Sequence, residues 1–190
     1  RMFPALVPND TRYATDQWAL KAVTAGNYGI NAPAAWDITT GAASVIVAVL
    51  DTGITAHIDL AGRTVPGYDF VTSIPTANDG GGRDADPSDP GDWITAAESA
   101  TLGGPFQGCR VKDSSWHGTH VSGTIGAISD NSLGIAGVNW VSKIQPIRVL
   151  GKCGGVTSDI ADAMTWASGG VVAGVANNPT PANVLNLSLG

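Results

Sequence analysis

Two side chains in this sequence are placed to share a proton. Asp51 closes an unbroken apolar run, Val45-Ile46-Val47-Ala48-Val49-Leu50, and His117 opens a stretch of small residues, His117-Gly118-Thr119-His120-Val121-Ser122-Gly123-Thr124. A carboxylate at the end of a buried strand needs a partner or a task, because an unpaired buried charge is costly. By position alone Asp51 is equally a structural cap. An imidazole exchanges protons near neutral pH when a carboxylate orients it, and Asp51 suits that role for His117. His120 lies one turn after His117 and is expected to pack and hydrogen-bond in the core. The two histidines do not read as a zinc pair: they stand at i, i+3 with Gly-Thr between them, whereas zinc peptidases use i, i+4 with an intervening Glu.

A second group of chemically interesting residues lies in Asp79-Gly80-Gly81-Gly82-Arg83-Asp84-Ala85-Asp86-Pro87-Ser88-Asp89, four carboxylates in eleven residues. Without a cation these charges repel, and the loop is expected to be mobile. Asp79, Asp84, Asp86 and Asp89, with Asp92 in reserve, are the candidate ligands. The segment is not an EF-hand, because the closing bidentate Glu is absent. Two cysteines, Cys109 and Cys153, are too few for a disulfide scaffold; spacing leaves one bridge and two buried thiols both open.

The elements that must hold these residues follow from the rest of the chain. The 190 residues suffice for one domain with a substantial core. The chain is 43% apolar and 14% charged, a composition that does not point to disorder. A net charge of −6 argues against non-specific nucleic-acid binding, and no apolar run approaches the ~20 residues of a membrane span. Fifteen of the sixteen acidic residues are Asp, the exception being Glu98; Asp suits turns, caps and metal loops better than helix surfaces. The sequence shows neither an initiator Met nor a basic and apolar leader, so a signal peptide, if one existed, is expected to be gone already.

Residues 45–50 read as a strand buried on both faces of a parallel sheet. Further strands are predicted over 143–150 and 183–189. Helices are predicted over 31–37, with Pro33 in the first turn, over 117–128, and over 157–168. In the last, Thr157 is the expected N-cap, with Ile160, Ala163, Met164 and Ala167 on one face. The first thirty residues read as a surface arm, and 72–114 as either a functional insertion or a disordered one. Strands alternating with helices imply right-handed crossovers in an α/β fold, where function gathers at the C-terminal ends of strands. Asp51 occupies such an end.

At this point the sequence resembles a known family. Val49-Leu50-Asp51-Thr52-Gly53-Ile54 resembles the aspartate motif of subtilisin-like serine proteases. His117 to Thr124 resembles their histidine motif, and Val184-Leu185-Asn186-Leu187-Ser188-Leu189-Gly190 the strand lining their substrate cleft. The order Asp then His, with Ser to follow, is the subtilisin order. The likeness runs from about Pro8 to Gly190 and is greatest to secreted calcium-binding bacterial members carrying an acidic insertion and a Gly-Lys-Cys-Gly-Gly segment, here 151–155. It implies a three-layer α/β sandwich with a mostly parallel central sheet, incomplete in this chain, so that 1–190 is the N-terminal part of a single peptidase domain.

The resemblance implies an extracellular serine endopeptidase, with Asp51 orienting His117 and His117 activating a serine. That serine belongs to a Gly-Thr-Ser motif absent from these residues; Ser114, Ser115, Ser122 and Ser188 stand in other contexts. The alternative is a non-catalytic fragment or pseudoenzyme that keeps the fold for binding. Leu150, Gly151, Gly154 and Gly155 match one substrate-pairing strand, and Ser188, Leu189 and Gly190 the opposing one. His57 matches a surface loop position. A first calcium site is implied at the side chains of Asp10, Asp59 and Asn131 and the carbonyls of Ile128, Leu133 and Ile135, tying the N-terminal arm to the core; the acidic insertion is the second. A secreted enzyme favours a Cys109–Cys153 disulfide. Residues 1–7 match the tail of an inhibitory propeptide or an unprocessed extension. The implied partners are protein or peptide substrates, that propeptide, and the C-terminal remainder of the enzyme as a second chain, with neither nucleic acid nor membrane.

Overall fold

A computed structural model describes residues 6–190. These form two compact units. The first comprises the described part of Arg1–Val45 with Ala56–Arg63 and Ser122–Lys143; the second comprises Ile46–Thr55, Thr64–Val121 and Ile144–Gly190. Of the propeptide-like residues 1–7, the first five lie outside the described residues.

The second unit is built on a sheet of β1 (Ile46–Asp51), β2 (Tyr68–Asp69), β3 (Lys143–Arg148) and β4 (Val184–Asn186), in the order β2-β3-β1-β4. β1 pairs in parallel with β4, Val47 opposite Val184, and β2 in parallel with β3. The order places β1 inside the sheet, which is why its sequence is apolar without alternation. Ala48, Val49 and Leu50 are buried accordingly. This is the expected α/β fold. The third strand is shorter than predicted, because only Val184–Asn186 finds a neighbour; Leu187 and Leu189 pack on the core beyond it.

Four helices have their starting residues in the unit: α3 (Ile74–Ala77), α4 (Ala96–Ala100), α5 (His117–Gly126) and α6 (Thr157–Ala167). The amphipathic face of α6 buries Ala163, Trp166 and Ala167 with Ala48, Leu50, Phe70, Ile147 and Val149, and Ile160 packs at the edge. Trp166 takes the place expected for Met164, which is 42% exposed. The indole stacks near Tyr68 and Phe70, with ring centroids 5.6 and 5.8 Å away, and its Nε1 donates to the Ala176 carbonyl at 2.7 Å. Thr157 is the first helical residue rather than the cap. The N-cap is Val156, with no side-chain cap bond, while Asp159 in the first turn accepts from Thr72 and Arg83.

Residues 72–114 are folded. α3 starts on Ser73 as N-cap, and α4 carries a complete capping box in which the Thr95 hydroxyl accepts from the Glu98 N–H while the Glu98 carboxylate accepts from the Thr95 N–H. Ile94 bridges Lys112 and closes the segment.

In the first unit, α1 (Tyr13–Asp16) and α2 (Ala32–Trp36) supply Tyr13, Ala32 and Trp36 to a small core completed by Leu20 and Ala136, with Trp140 against its edge. The part of the N-terminal arm around Tyr13 and Leu20 is therefore a packed element. The Gln17 amide is clamped both ways on Ala136, donating to its carbonyl and accepting from its N–H, both at 2.7 Å.

Candidate active site

Asp51 is the last residue of β1, and its backbone is fixed by the strand beside it: the Asp51 carbonyl accepts from the N–H groups of Val149 and Leu150 at 2.8 and 3.1 Å. The side chain is fully buried. Facing it, His117 starts α5, with Nδ1 2.8 Å from one Asp51 carboxylate oxygen and 2.9 Å from the other. The histidine side chain is 45% exposed and that of Asp51 1%, so the imidazole stands between a buried charge and open space. A carboxylate accepts only, so Nδ1 carries the proton and Nε2 is left as the base.

Local backbone sets this approach. Trp116, just before His117, lies at φ +51°, a left-handed conformation an aromatic residue rarely takes. It turns the chain into the helix. Gly118 follows, and a Cβ there would collide with the Gly53 carbonyl oxygen. The glycine therefore lets the start of α5 lie directly on the turn after Asp51. Thr52 joins the two: its N–H donates to Asp51 Oδ1 at 2.7 Å, and its hydroxyl accepts from the Gly118 N–H at 3.0 Å.

His117 borders a cavity of about 590 Å³. Its lining includes every predicted cleft residue: Leu150, Gly151, Gly154, Gly155, Ser188, Leu189 and Gly190. Gly151 and Gly154 bridge each other in a tight turn. Cys153, in that turn, is bonded to Cys109, closing the choice left by spacing.

Sequence reasoning did not assign Thr52, Lys112 or Ser115, which also border the cavity, or foresee Asp92 there. Asp92 accepts from the Ser115 N–H at 2.6 Å and hydroxyl at 3.0 Å and is ion-paired with Lys112. Burial opposes its charge, but Lys112 and the Ser115 donors hold it below the usual carboxylate range. The signal available for Thr52 was its place between Asp51 and Gly53.

The other histidines do not line the cavity. His57 is exposed and its Nδ1 accepts from the Asp59 N–H, capping a short turn. His120 is exposed rather than packed in the core, because one turn of α5 carries it toward solvent.

Of the first set of predicted calcium ligands, the side chains of Asp10, Asp59 and Asn131 lie in hydrogen-bonded networks of the first unit. Asp59 Oδ1 accepts from the Asn131 amide at 2.8 Å and Oδ2 from the Ile135 N–H at 3.0 Å, while Asp10 Oδ2 accepts from the Asp130 N–H at 2.7 Å. Ile128 donates its N–H to the Asp59 carbonyl at 2.8 Å. Leu133 donates its N–H to the Asn131 side chain at 2.9 Å. Asp10 Oδ1 is buried without a partner among the described residues. Its carboxyl is pushed up by burial and by the charge of Asp59. A side chain at Gly134 would strike the Asp59 carboxylate. A buried, unpartnered oxygen near a second carboxylate, and a glycine where a side chain would strike that carboxylate, fit an oxygen-ligated cation.

In the acidic insertion the Asp79 and Asp84 carboxylates both face Gly81. Among the described residues no three His, Cys, Asp or Glu side chains form a metal-binding group. Instead each accepts from protein donors: Asp79 from Arg148 and the Gly81 N–H, Asp84 from the Asp86 N–H, Asp86 from the Ser88 N–H, and Asp89 from Thr52 and the Gly91 N–H. The expected repulsion is relieved one residue at a time.

Known proteins are similar to this chain over nearly its whole length. An extracellular protease of Xanthomonas campestris pv. campestris is 50% identical over 97% of the chain, and an extracellular basic protease of Dichelobacter nodosus 47% identical over 99%. The chain spans about 30% of the length of each. A solved structure described as proteases from Pseudoalteromonas arctica shares 51% identity with a TM-score of 0.85, over 96% of this chain and 50% of that one. No helix among the described residues is long and apolar enough to cross a membrane. Residues 42–190 match the Subtilase family, and the chain belongs to it.

Proposed function

We propose that these residues are the aspartate- and histidine-bearing portion of a secreted serine endopeptidase. The observation that carries the reading is the His117 imidazole held on the buried Asp51 carboxylate at the edge of a cavity walled by two short backbone segments. The extracellular relatives support secretion.

Asp51 holds the proton on Nδ1 and stabilises the imidazolium that forms when Nε2 accepts a proton. The donor is a serine from the part of the protein beyond these residues. As its proton passes to Nε2, its oxygen bonds to the peptide carbonyl carbon. Collapse of the tetrahedral adduct breaks the C–N bond, and the imidazolium returns the proton to the leaving amine. Water then repeats the sequence on the acyl-enzyme. The substrate lies extended between Leu150–Gly155 and Ser188–Gly190, held by main-chain hydrogen bonds that side chains at the glycines would obstruct. An inhibitory propeptide and the serine-bearing remainder are the other partners of the reading.

Calcium belongs to the same proposal. Asp10, Asp59 and Asn131 with the carbonyls of Ile128, Leu133 and Ile135 would hold it, supplying positive charge to the unpartnered Asp10 oxygen and rigidity to the loop. Nothing comparable supports a second ion at Asp79, Asp84, Asp86 and Asp89.

The test is hydrolysis of a peptide amide by the full-length protein, with and without a serine-directed sulfonyl fluoride. The reading expects hydrolysis that the reagent abolishes, with the label on a serine C-terminal to Gly190. A full-length protein without peptidase activity would favour the non-catalytic alternative.

A further inference from the structure

The acidic insertion reaches Thr52, next to Asp51, through the side chain of Asp89. Asp89 is buried, and its Oδ2 lies 2.6 Å from the Thr52 hydroxyl. That hydroxyl is also 3.0 Å from the Gly118 N–H. A hydroxyl has one proton. Because the Gly118 N–H can only donate, the Thr52 oxygen accepts from it and sends its own proton to Asp89, so the direction of both bonds is fixed. The other oxygen of Asp89 accepts from the Gly91 N–H at 2.8 Å. Backbone bonds seat the carboxylate: Ile54 donates to the Pro87 carbonyl at 3.0 Å and Asp89 to the Ile54 carbonyl at 2.9 Å.

Thr52 thus spans three elements. Its N–H steadies Asp51, its oxygen holds the first turn of α5 beside His117, and its proton is aimed by the insertion. Gly118 is packed on Gly53 and offers no side chain of its own to set the helix. We propose that Asp89 is a positioning residue: acting through the Thr52 hydroxyl, it fixes the start of α5 so that His117 meets Asp51 in the geometry proton transfer needs. This rests on the endopeptidase reading above for its kinetic consequence, but not for its structural one.

The experiment uses the full-length protein and two readouts. One is kcat and KM for a peptide amide. The other is the NMR resonance of the His117 Nδ1–H proton bonded to Asp51, which reports the pair whether or not the protein hydrolyses peptides. Misplacement on the scale of an ångström lowers rates about 100-fold. Asp89→Ala is expected to lower kcat about 10- to 100-fold with KM within about twofold, and to shift or broaden the resonance. Thr52→Val, which keeps the side chain's shape and removes its hydroxyl, is expected to do the same, and serves if Asp89→Ala does not fold. Thr52→Ser should restore both readouts. The double variant should lose little more than Thr52→Val alone, because both residues act through one bond. The proposal is overturned if the resonance is unmoved in both single variants, if kcat in an active enzyme stays within about twofold of wild type, or if the two losses multiply. An inactive wild type with a resonance that moves as expected would sink the endopeptidase reading and leave the positioning role standing.

Discussion

Lys152 and Glu98 form an ion pair in which the only glutamate of the chain serves two elements at once. The ammonium is buried beneath the insertion, 4.7 Å from the ring centre of Trp93 and 5.0 Å from that of Phe106. The same carboxylate completes the capping box of α4. The Lys152 bond, followed by the Thr95 donors, pulls Glu98 down to about 2 from an ordinary 4.5. A depressed carboxylate contributes stability that is fully present above the unfolded value and is lost as pH falls through the folded one. In full-length protein silenced by His117→Ala, the melting temperature of Glu98→Gln should therefore lie below that of its parent by a constant gap above about pH 5.5. The gap should close between about pH 4.5 and 2. A gap independent of pH would mean that the charge of Glu98 does not stabilise the fold.

Removing either member of the proton-sharing pair should abolish most turnover while leaving the fold intact. His117→Ala is expected to lower kcat about 10⁶-fold and Asp51→Ala about 10⁴-fold, figures known for subtilisin itself and carried over here. Steady-state kinetics on a peptide amide checks both. His117→Ala within about tenfold of wild type would remove the base assignment.

Calcium at the first site should appear as a chelator-sensitive melting temperature. Free metal at 100 times its dissociation constant adds about 2.7 kcal/mol. Asp10→Asn should weaken the response to added calcium, since it neutralises the carboxylate whose Oδ1 has no partner among the described residues. Equal melting curves with calcium and with chelator would count against the site.

The Cys109–Cys153 bond joins residues separated by 44 positions. In the chain-entropy account, whose mechanism is disputed, closing a loop of that length stabilises by about 4 kcal/mol. The paired Cys109→Ser and Cys153→Ser variant should unfold at lower denaturant by a comparable amount. It should also lose protection first around Cys153, where the residue stands at φ +65° in the turn bordering the cavity. Hydrogen exchange across 150–155 reads this directly.

How much of this was legible in the sequence depended on where each residue's partners lie along the chain. Asp51 and His117 announce themselves through short, local patterns, and the apolar run 45–50 declares a strand buried on both faces. The capping box of α4 was equally local, since Thr95 and Glu98 stand at the required spacing, yet it was hidden inside a stretch that reads as irregular. Trp166 displaced Met164 because its ring fits beside Tyr68 and Phe70, which are nearly a hundred residues away and unseen by helical periodicity. The acidic run shows the same limit. Counting its charges suggests a cation and gives no sign that Arg148 reaches Asp79 from β3 or that Thr52 reaches Asp89 from the end of β1. Pairings that skip across the sequence cannot be counted locally.

The order β2-β3-β1-β4 has a consequence for synthesis. β1 is made first but sits between strands made later, and its bond from Ile46 to Asn183 spans 137 residues. At about 5–20 residues per second the ribosome needs roughly 7–30 s to supply that partner. Non-local parallel pairing is also slow in its own right, because loop-closure entropy must be overcome before contacts form. Until β3 is made, the nascent apolar strand that carries Asp51 has an unpaired edge on both sides, and until β4 is made it keeps one. The half-made chain is thus at its most adhesive before it has a sheet.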